Sequence, residues 1–154
     1  MKLNKLIFTA GLLALITTSA CKKSIDFIAD NTTPAGSGSY PISSNTFTDI
    51  ATKAAIPVTA GYTKGQNLSW EIQYFSQSPI KELNLYETIG TGTRNKIKNY
   101  PYQAAYSKAK ATDTLIINYQ VPATAASGAS IKVETEIVNQ NTLNLIRTFT
   151  YKVK

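Results

Sequence analysis

Acid–base and nucleophilic chemistry near neutral pH usually rests on an imidazole, a thiolate or a pair of matched carboxylates. This chain of 154 residues has no His, one Cys (Cys21) and nine scattered acids. The absence of His removes the Ser-His and Cys-His triads and the commonest zinc ligand, and a lone Cys excludes an intramolecular disulfide. Glu134 and Glu136 are the closest approach to a carboxylate pair. Two apart on a strand, they stand about 6.7 Å from each other along the rise, a spacing that overlaps that of an inverting glycosidase. Interleaving with Lys132 instead marks them as the outward, solvated face of a sheet, where neither carboxyl would be driven to hold its proton. Gly90-Thr91-Gly92 is read as a turn, because no Walker sequence or following helix accompanies it. No Asp-rich calcium loop is present. The chain is therefore expected to be no enzyme and to carry no metal and no cofactor.

Charge distribution is more informative. Residues 93–110 hold five bases, Arg94, Lys96, Lys98, Lys108 and Lys110, and no acid, while the nine other bases that follow Cys21 are matched by nine acids. Tyr100, Tyr102 and Tyr106 interleave with these bases. Tyrosines stack on flat faces and hydrogen-bond through their hydroxyls, and bases attract anions, so Arg94, Lys96, Lys98, Tyr100, Tyr102 and Tyr106 form the candidate ligand-binding set. The competing reading is an edge strand shielded by lysines with its tyrosines half-buried.

The elements that would position this segment begin with an N-terminal address. Lys2 and Lys5 form a basic n-region, residues 6–16 an apolar run too short to span a bilayer, and Thr18-Ser19-Ala20 a small-residue approach to Cys21. Thr18-Ser19-Ala20-Cys21 resembles the lipobox of bacterial lipoproteins. The resemblance implies a signal peptide over 1–20, a diacylglycerol on the Cys21 thiol and a further acyl chain such as palmitate on its amine. Several chains make a stable anchor where one gives only marginal binding. Lys22 and Lys23, in place of a retention Asp, imply sorting to the outer membrane, at the cell surface or the periplasmic face. The Cys-Lys-Lys-Ser start resembles that of outer-membrane lipoproteins found beside glycan-utilisation systems.

Residues 21–46 comprise the anchor and a flexible tether, since Asn31-Thr32-Thr33-Pro34-Ala35-Gly36-Ser37-Gly38-Ser39 cannot bury enough apolar surface to order itself. Over 47–154, short alternating segments recur between turn residues, which predicts an all-β antiparallel sandwich of seven or eight strands. Strands are expected near 56–60, 67–75, 80–87, 102–108, 113–121, 130–139 and 143–153, with a further one near 94–98. Alternation puts Leu68, Trp70, Ile72 and Tyr74 on one face, Leu115, Ile117, Tyr119 and Val121 on another, and Ile131, Val133, Thr135 and Ile137 on a third. Arg147 falls in phase with Leu145, Phe149 and Tyr151, which calls for a bulge or an exposed strand end.

Leu68-Ser69-Trp70, Leu83-Asn84-Leu85-Tyr86 and Ser127-Gly128 leading into Ile131-Lys132-Val133 resemble an immunoglobulin-like or fibronectin type III-like domain. That likeness implies non-catalytic binding. Candidate partners are the membrane, through the lipid anchor, and a polysaccharide or an outer-membrane protein complex. Nucleic acid is not expected at that location. An assembly subunit docking on a transporter or adhesin through a sheet edge is the alternative.

Overall fold

The computed structural model describes Ser39, residues 41–75 and residues 79–154. The expected signal sequence, Cys21 and the expected tether through residue 38, and most of the turn expected at 76–79, lie outside the described residues.

Among the described residues nine strands follow one another: β1 (Thr46–Asp49), β2 (Ala55–Pro57), β3 (Asn67–Tyr74), β4 (Ile80–Ile89), β5 (Asn95–Pro101), β6 (Tyr106–Ser107), β7 (Thr112–Gln120), β8 (Ser130–Asn139) and β9 (Asn144–Lys152). They form two antiparallel sheets, β2-β1-β3-β7-β6 and β5-β4-β8-β9, packed as a sandwich. Take β1, β3, β4, β6, β7, β8 and β9 as seven successive strands. The first, second, fourth and fifth then share one sheet and the third, sixth and seventh the other, which is the immunoglobulin-like arrangement. β2 and β5 extend it at the edges.

Alternation places the core where the sequence reading put it. Leu68, Trp70, Ile72 and Tyr74 of β3, Ile117 and Tyr119 of β7 and Ile131, Val133 and Ile137 of β8 are all buried. Each large apolar side chain taken out of water contributes about 1.5–3 kcal/mol, so these rows supply the main driving force. β1 lies within and just before the first residues assigned to the sandwich and was not expected as a strand. Phe47 on it stacks 4.2 Å from Trp70 and 5.5 Å from Tyr62 and meets Phe149 edge-on at 4.9 Å. The ordered domain also starts earlier than residue 47. Ile42 bridges to Gln73, Ser43 Oγ donates to the carbonyl of Glu71, and the Ser39 amide donates to Asn139 Oδ1.

Val58–Ala60 is a 3-10 turn rather than the end of a strand. Gly61 follows with φ 71, and the next residue clips the far edge of the other sheet: the Tyr62 amide donates to the Lys152 carbonyl, and the Lys154 amide donates to the carbonyl of Tyr62. Arg147 needs no bulge, since β8 and β9 pair in unbroken register through Thr135 and Arg147. Its guanidinium instead lies 5.1 Å from the centre of the Phe149 ring and donates to the Ser43 carbonyl and Asn45 Oδ1.

Candidate functional site

The residues singled out by charge sit on one hairpin, β4 turning into β5, and one irregularity decides where each points. Leu85 pairs with Lys98 and Tyr86 with Lys96, so Ile97 is an extra residue, a bulge in the edge strand. Directly paired residues share a face. Lys96 therefore joins Tyr86 on the outer face of the sheet. Lys98 and Tyr100, paired with the buried Leu85 and Leu83, join the inner side.

On the outer face, the guanidinium of Arg94 lies 3.4 Å from the centre of the Tyr86 ring and the ammonium of Lys96 lies 5.7 Å from it. Arg94 Nε donates to Glu134 Oε2 at 2.9 Å, and Arg94 Nη2 stands 3.9 Å from Glu136. Tyr86 donates its hydroxyl to Glu136 at 2.9 Å. Glu134 and Glu136 are consequently 8% and 7% exposed. The expectation of a solvated carboxylate face is corrected here: both glutamates point outward, but the hairpin of the same sheet lays an aromatic ring and an arginine over them. Each charge is paired as its burial requires. The network continues through Asn84, which donates to Glu82 and accepts from Asn99 Nδ2. These amides hold the Glu82 carboxyl below the ordinary carboxylate range, the Asn84 bond being the largest cause and Asn99 the next.

On the inner side, Tyr100 packs against the core with its hydroxyl buried and without a hydrogen-bond partner, while Lys98 sits 4.8 Å from the centre of its ring. Tyr102 lies edge-on to Tyr74 and donates to Asp113 Oδ2. Neither ring is an open platform. Tyr106 on β6 is 64% exposed. Lys108 is exposed on the following turn, and Lys110 is paired with Glu71, whose carboxyl that bond holds below its ordinary range. The five bases without a nearby acid in sequence are thus partly neutralised in space, Arg94 and Lys110 by acids from β8 and β3.

Part of this set borders the opening between the two sheets on the β5 and β7 side, the mouth of the sandwich. β6 is only two residues long and pairs with Thr112 and Asp113 alone. The sequence reading gave that strand seven residues; it is short because Asp113 accepts from the Ala105 amide and the Tyr102 hydroxyl, pinning the approaching chain across the end of β7. The mouth is left open along two clefts. One, of about 240 Å³, is lined by Tyr74, Leu83, Tyr100, Gln103 and Leu115 among others. The second, of about 310 Å³, is lined by Leu85, Glu87, Lys98, Asn118, Tyr119 and Gln120 among others. Glu87 accepts from the Tyr119 hydroxyl, which also bonds that of Tyr151 at 2.8 Å.

Lys98 and Tyr100 belong to this mouth and Arg94 and Lys96 to the outer face, while Tyr102 and Tyr106 line neither cleft. Glu87, Asn118 and Gln120 were not singled out in the sequence and Tyr119 was read there only as a core-facing residue, because the mouth they line exists through the shortness of β6. Glu134 and Glu136 line neither cleft. Among the described residues no helix is long and apolar enough to cross a membrane, and no three His, Cys, Asp or Glu side chains are grouped as metal ligands. No protein-family model matches the chain, and no curated protein matches it.

Proposed function

We propose that the protein is a non-catalytic binding module, held by lipid on Cys21 at the outer membrane, that docks on a larger protein complex through the open β5 and β7 side of its sandwich. The observation that carries this reading is the mouth itself: an apolar floor of Leu83, Leu85 and Leu115 beside unsatisfied and charged groups, Tyr100 and Lys98, on a lip that lacks free acids. Apolar surface with a few convergent polar groups is the usual make-up of a binding site. The inward packing of Tyr100 and Tyr102 favours docking over the stacking of sugar rings. Polysaccharide capture is the second reading, and the unpaired Tyr100 hydroxyl is what favours it, as a partner for a sugar hydroxyl.

Membrane fractionation, crosslinking in cells and retention on polysaccharide test this reading. Cys21→Ser should release the protein from membranes and abolish labelling by a palmitate analogue; retention in the membrane fraction would refute the anchor. Crosslinking in cells should then join the wild type to a large membrane partner, and Lys98→Ala should weaken that link. Retention on acidic polysaccharide, lost in Tyr100→Phe, would instead establish the second reading.

A further inference from the structure

We propose that the free edge of β7 accepts an extended, acidic peptide segment of the partner as an additional strand, an inference that rests on the docking reading above. The backbone supplies the first argument. The Thr114 amide donates to the Ala105 carbonyl, so the N–H and C=O groups that point away from β3 belong to every second residue from there. Those of Ile116, Asn118 and Gln120 therefore face outward, and β6 pairs with nothing beyond Asp113. Unpaired strand edges are templates for another strand.

The second argument comes from the other edges, each of which is blunted. β2 has three residues and β6 two. β5 carries a bulge, Lys96, Lys98 and a terminal Pro101. β9 has an inward-pointing charge, Arg147, which reaches across to Ser43 and Asn45 and closes that side of the sandwich, while Tyr62 clips its end. Bulges, lysines, prolines, short strands and inward charges are the devices that stop edge pairing. The free stretch of β7, Leu115, Ile116, Ile117, Asn118, Tyr119 and Gln120, has none of them, and Ile116 stands 54% exposed in its middle.

Third, the two clefts are lined from β7 at Leu115 and at Tyr119, four residues or about 13 Å apart along the strand. An added strand places side chains at i and i+4 on one face with that same spacing, and main-chain bonds with pockets for alternate side chains are how such strands are recognised. The acid in the second cleft, Glu87, is already engaged by Tyr119, which leaves Lys98 as the charge that selects the ligand. A second copy of this chain is the poorer occupant, because its own β7 edge would bring a second Lys98, not an acid, to a mouth that already holds one.

The test uses the full chain in detergent and three end-blocked, fluorescent eight-residue peptides of alternating Val and Thr: one with two Asp, one with Lys in their place, and the Asp peptide N-methylated along its pairing edge. The Asp peptide should bind saturably, and the Lys and N-methylated peptides at least about tenfold more weakly. Asn118→Pro removes only an outward-facing donor, a place where strands tolerate Pro, and should weaken binding by a similar factor with thermal unfolding little changed. Lys98→Glu should reverse the preference between Asp and Lys peptides, and it keeps the test decisive should Asn118→Pro fail to fold. Absence of saturable binding, equal binding of the three peptides, or unaltered binding by a folded Asn118→Pro would overturn the proposal. A crosslinked membrane partner that persists in Asn118→Pro would overturn this edge while leaving the docking reading in place; absence of any such partner would overturn the docking reading itself.

Discussion

The guanidinium of Arg94 lies 3.4 Å from the centre of the Tyr86 ring, and the same group donates to Glu134 at 2.9 Å. A residue from the tip of the β4–β5 hairpin thus reaches over β4 to β8 and fastens three strands with one side chain. Tyr86 is held on its other side by Glu136, so ring, guanidinium and two carboxylates form a closed set on the sheet face.

Removing the arginine should leave Glu134 with only the longer contact to Lys132, 3.6 Å away, and Glu136 with neutral donors alone, the Tyr86 hydroxyl and Asn84. Arg94→Ala is expected to destabilise the fold by about 1–3 kcal/mol, less than for a fully buried pair because the Arg94 side chain is partly solvated. Arg94→Lys should recover only part of the loss, since an ammonium cannot both stack flat on the ring and fork between two carboxylates. Denaturant unfolding midpoints decide this, and an Arg94→Ala protein as stable as wild type would mean the set is a surface decoration.

Much of this architecture was legible in the sequence, for a physical reason. A strand with one face in the core must alternate, so β3 and β8 announced both their existence and their facing. β1 has a single large apolar residue, Phe47, in four, too short a stretch for any period to register. The directions of Lys98 and Tyr100 depend on one bulged residue, Ile97, that no composition signals. Glu134 and Glu136 were correctly placed outward, but outward means solvated only when nothing from another hairpin covers the face, and that is a tertiary fact. The mouth beside β7 was hidden for the same reason, because it exists through the absence of a longer β6.

Buried phenols should set the alkaline limit of the fold. Burial raises Tyr62 and Tyr74 from 10.0 to about 12, with the nearby Asp113 adding to the effect on Tyr74. Burial raises Tyr119 further, helped by its bond to Glu87, and raises Tyr151 as well. A raised folded pKa contributes stability that is complete below the unfolded value and lost as pH climbs to the folded one. Stability should accordingly fall between about pH 10 and 12, with these four tyrosines ionising together with unfolding. Tyrosinate absorbance and circular dichroism followed in parallel test the point; full ionisation of all nine tyrosines with the fold intact would contradict it.

The acid limb has the opposite sign. The Asp49 carboxyl is held below its ordinary range by the Thr52 amide first and by Gln66 next, with Oδ1 accepting from Thr52 and Ala51 and Oδ2 from Gln66. Glu71 and Glu82 are lowered too, by Lys110 and by Asn84. Depressed groups contribute stability above their unfolded pKa and lose it as pH falls through the folded one. Unfolding midpoints should be flat above about pH 5 and decline below about pH 4. Asp49→Asn should flatten part of that decline, and an identical acid profile would assign the loss to other carboxylates.

Two glycines share a positive φ but differ in what surrounds them, and Gly61 adds ψ 170, a combination that is essentially confined to glycine. Gly61 and Gly65 both have φ 71, but a Cβ at Gly61 would stand 2.6 Å from the Lys152 carbonyl oxygen, whereas a Cβ at Gly65 would meet nothing within 4 Å. Gly65→Ala should cost only the left-handed penalty of about 1–2 kcal/mol. Gly61→Ala must in addition push away the backbone of β9, and with it the bond from the Tyr62 amide to Lys152 and the one from the Lys154 amide to Tyr62. Its unfolding temperature should therefore lie well below that of Gly65→Ala, and amide exchange should quicken at Tyr62 and Lys154 in the first variant only. Equal melting temperatures would show that this clip yields freely and that β9 is held at its end by the Tyr62 ring against Tyr151 instead, 4.9 Å away and edge-on.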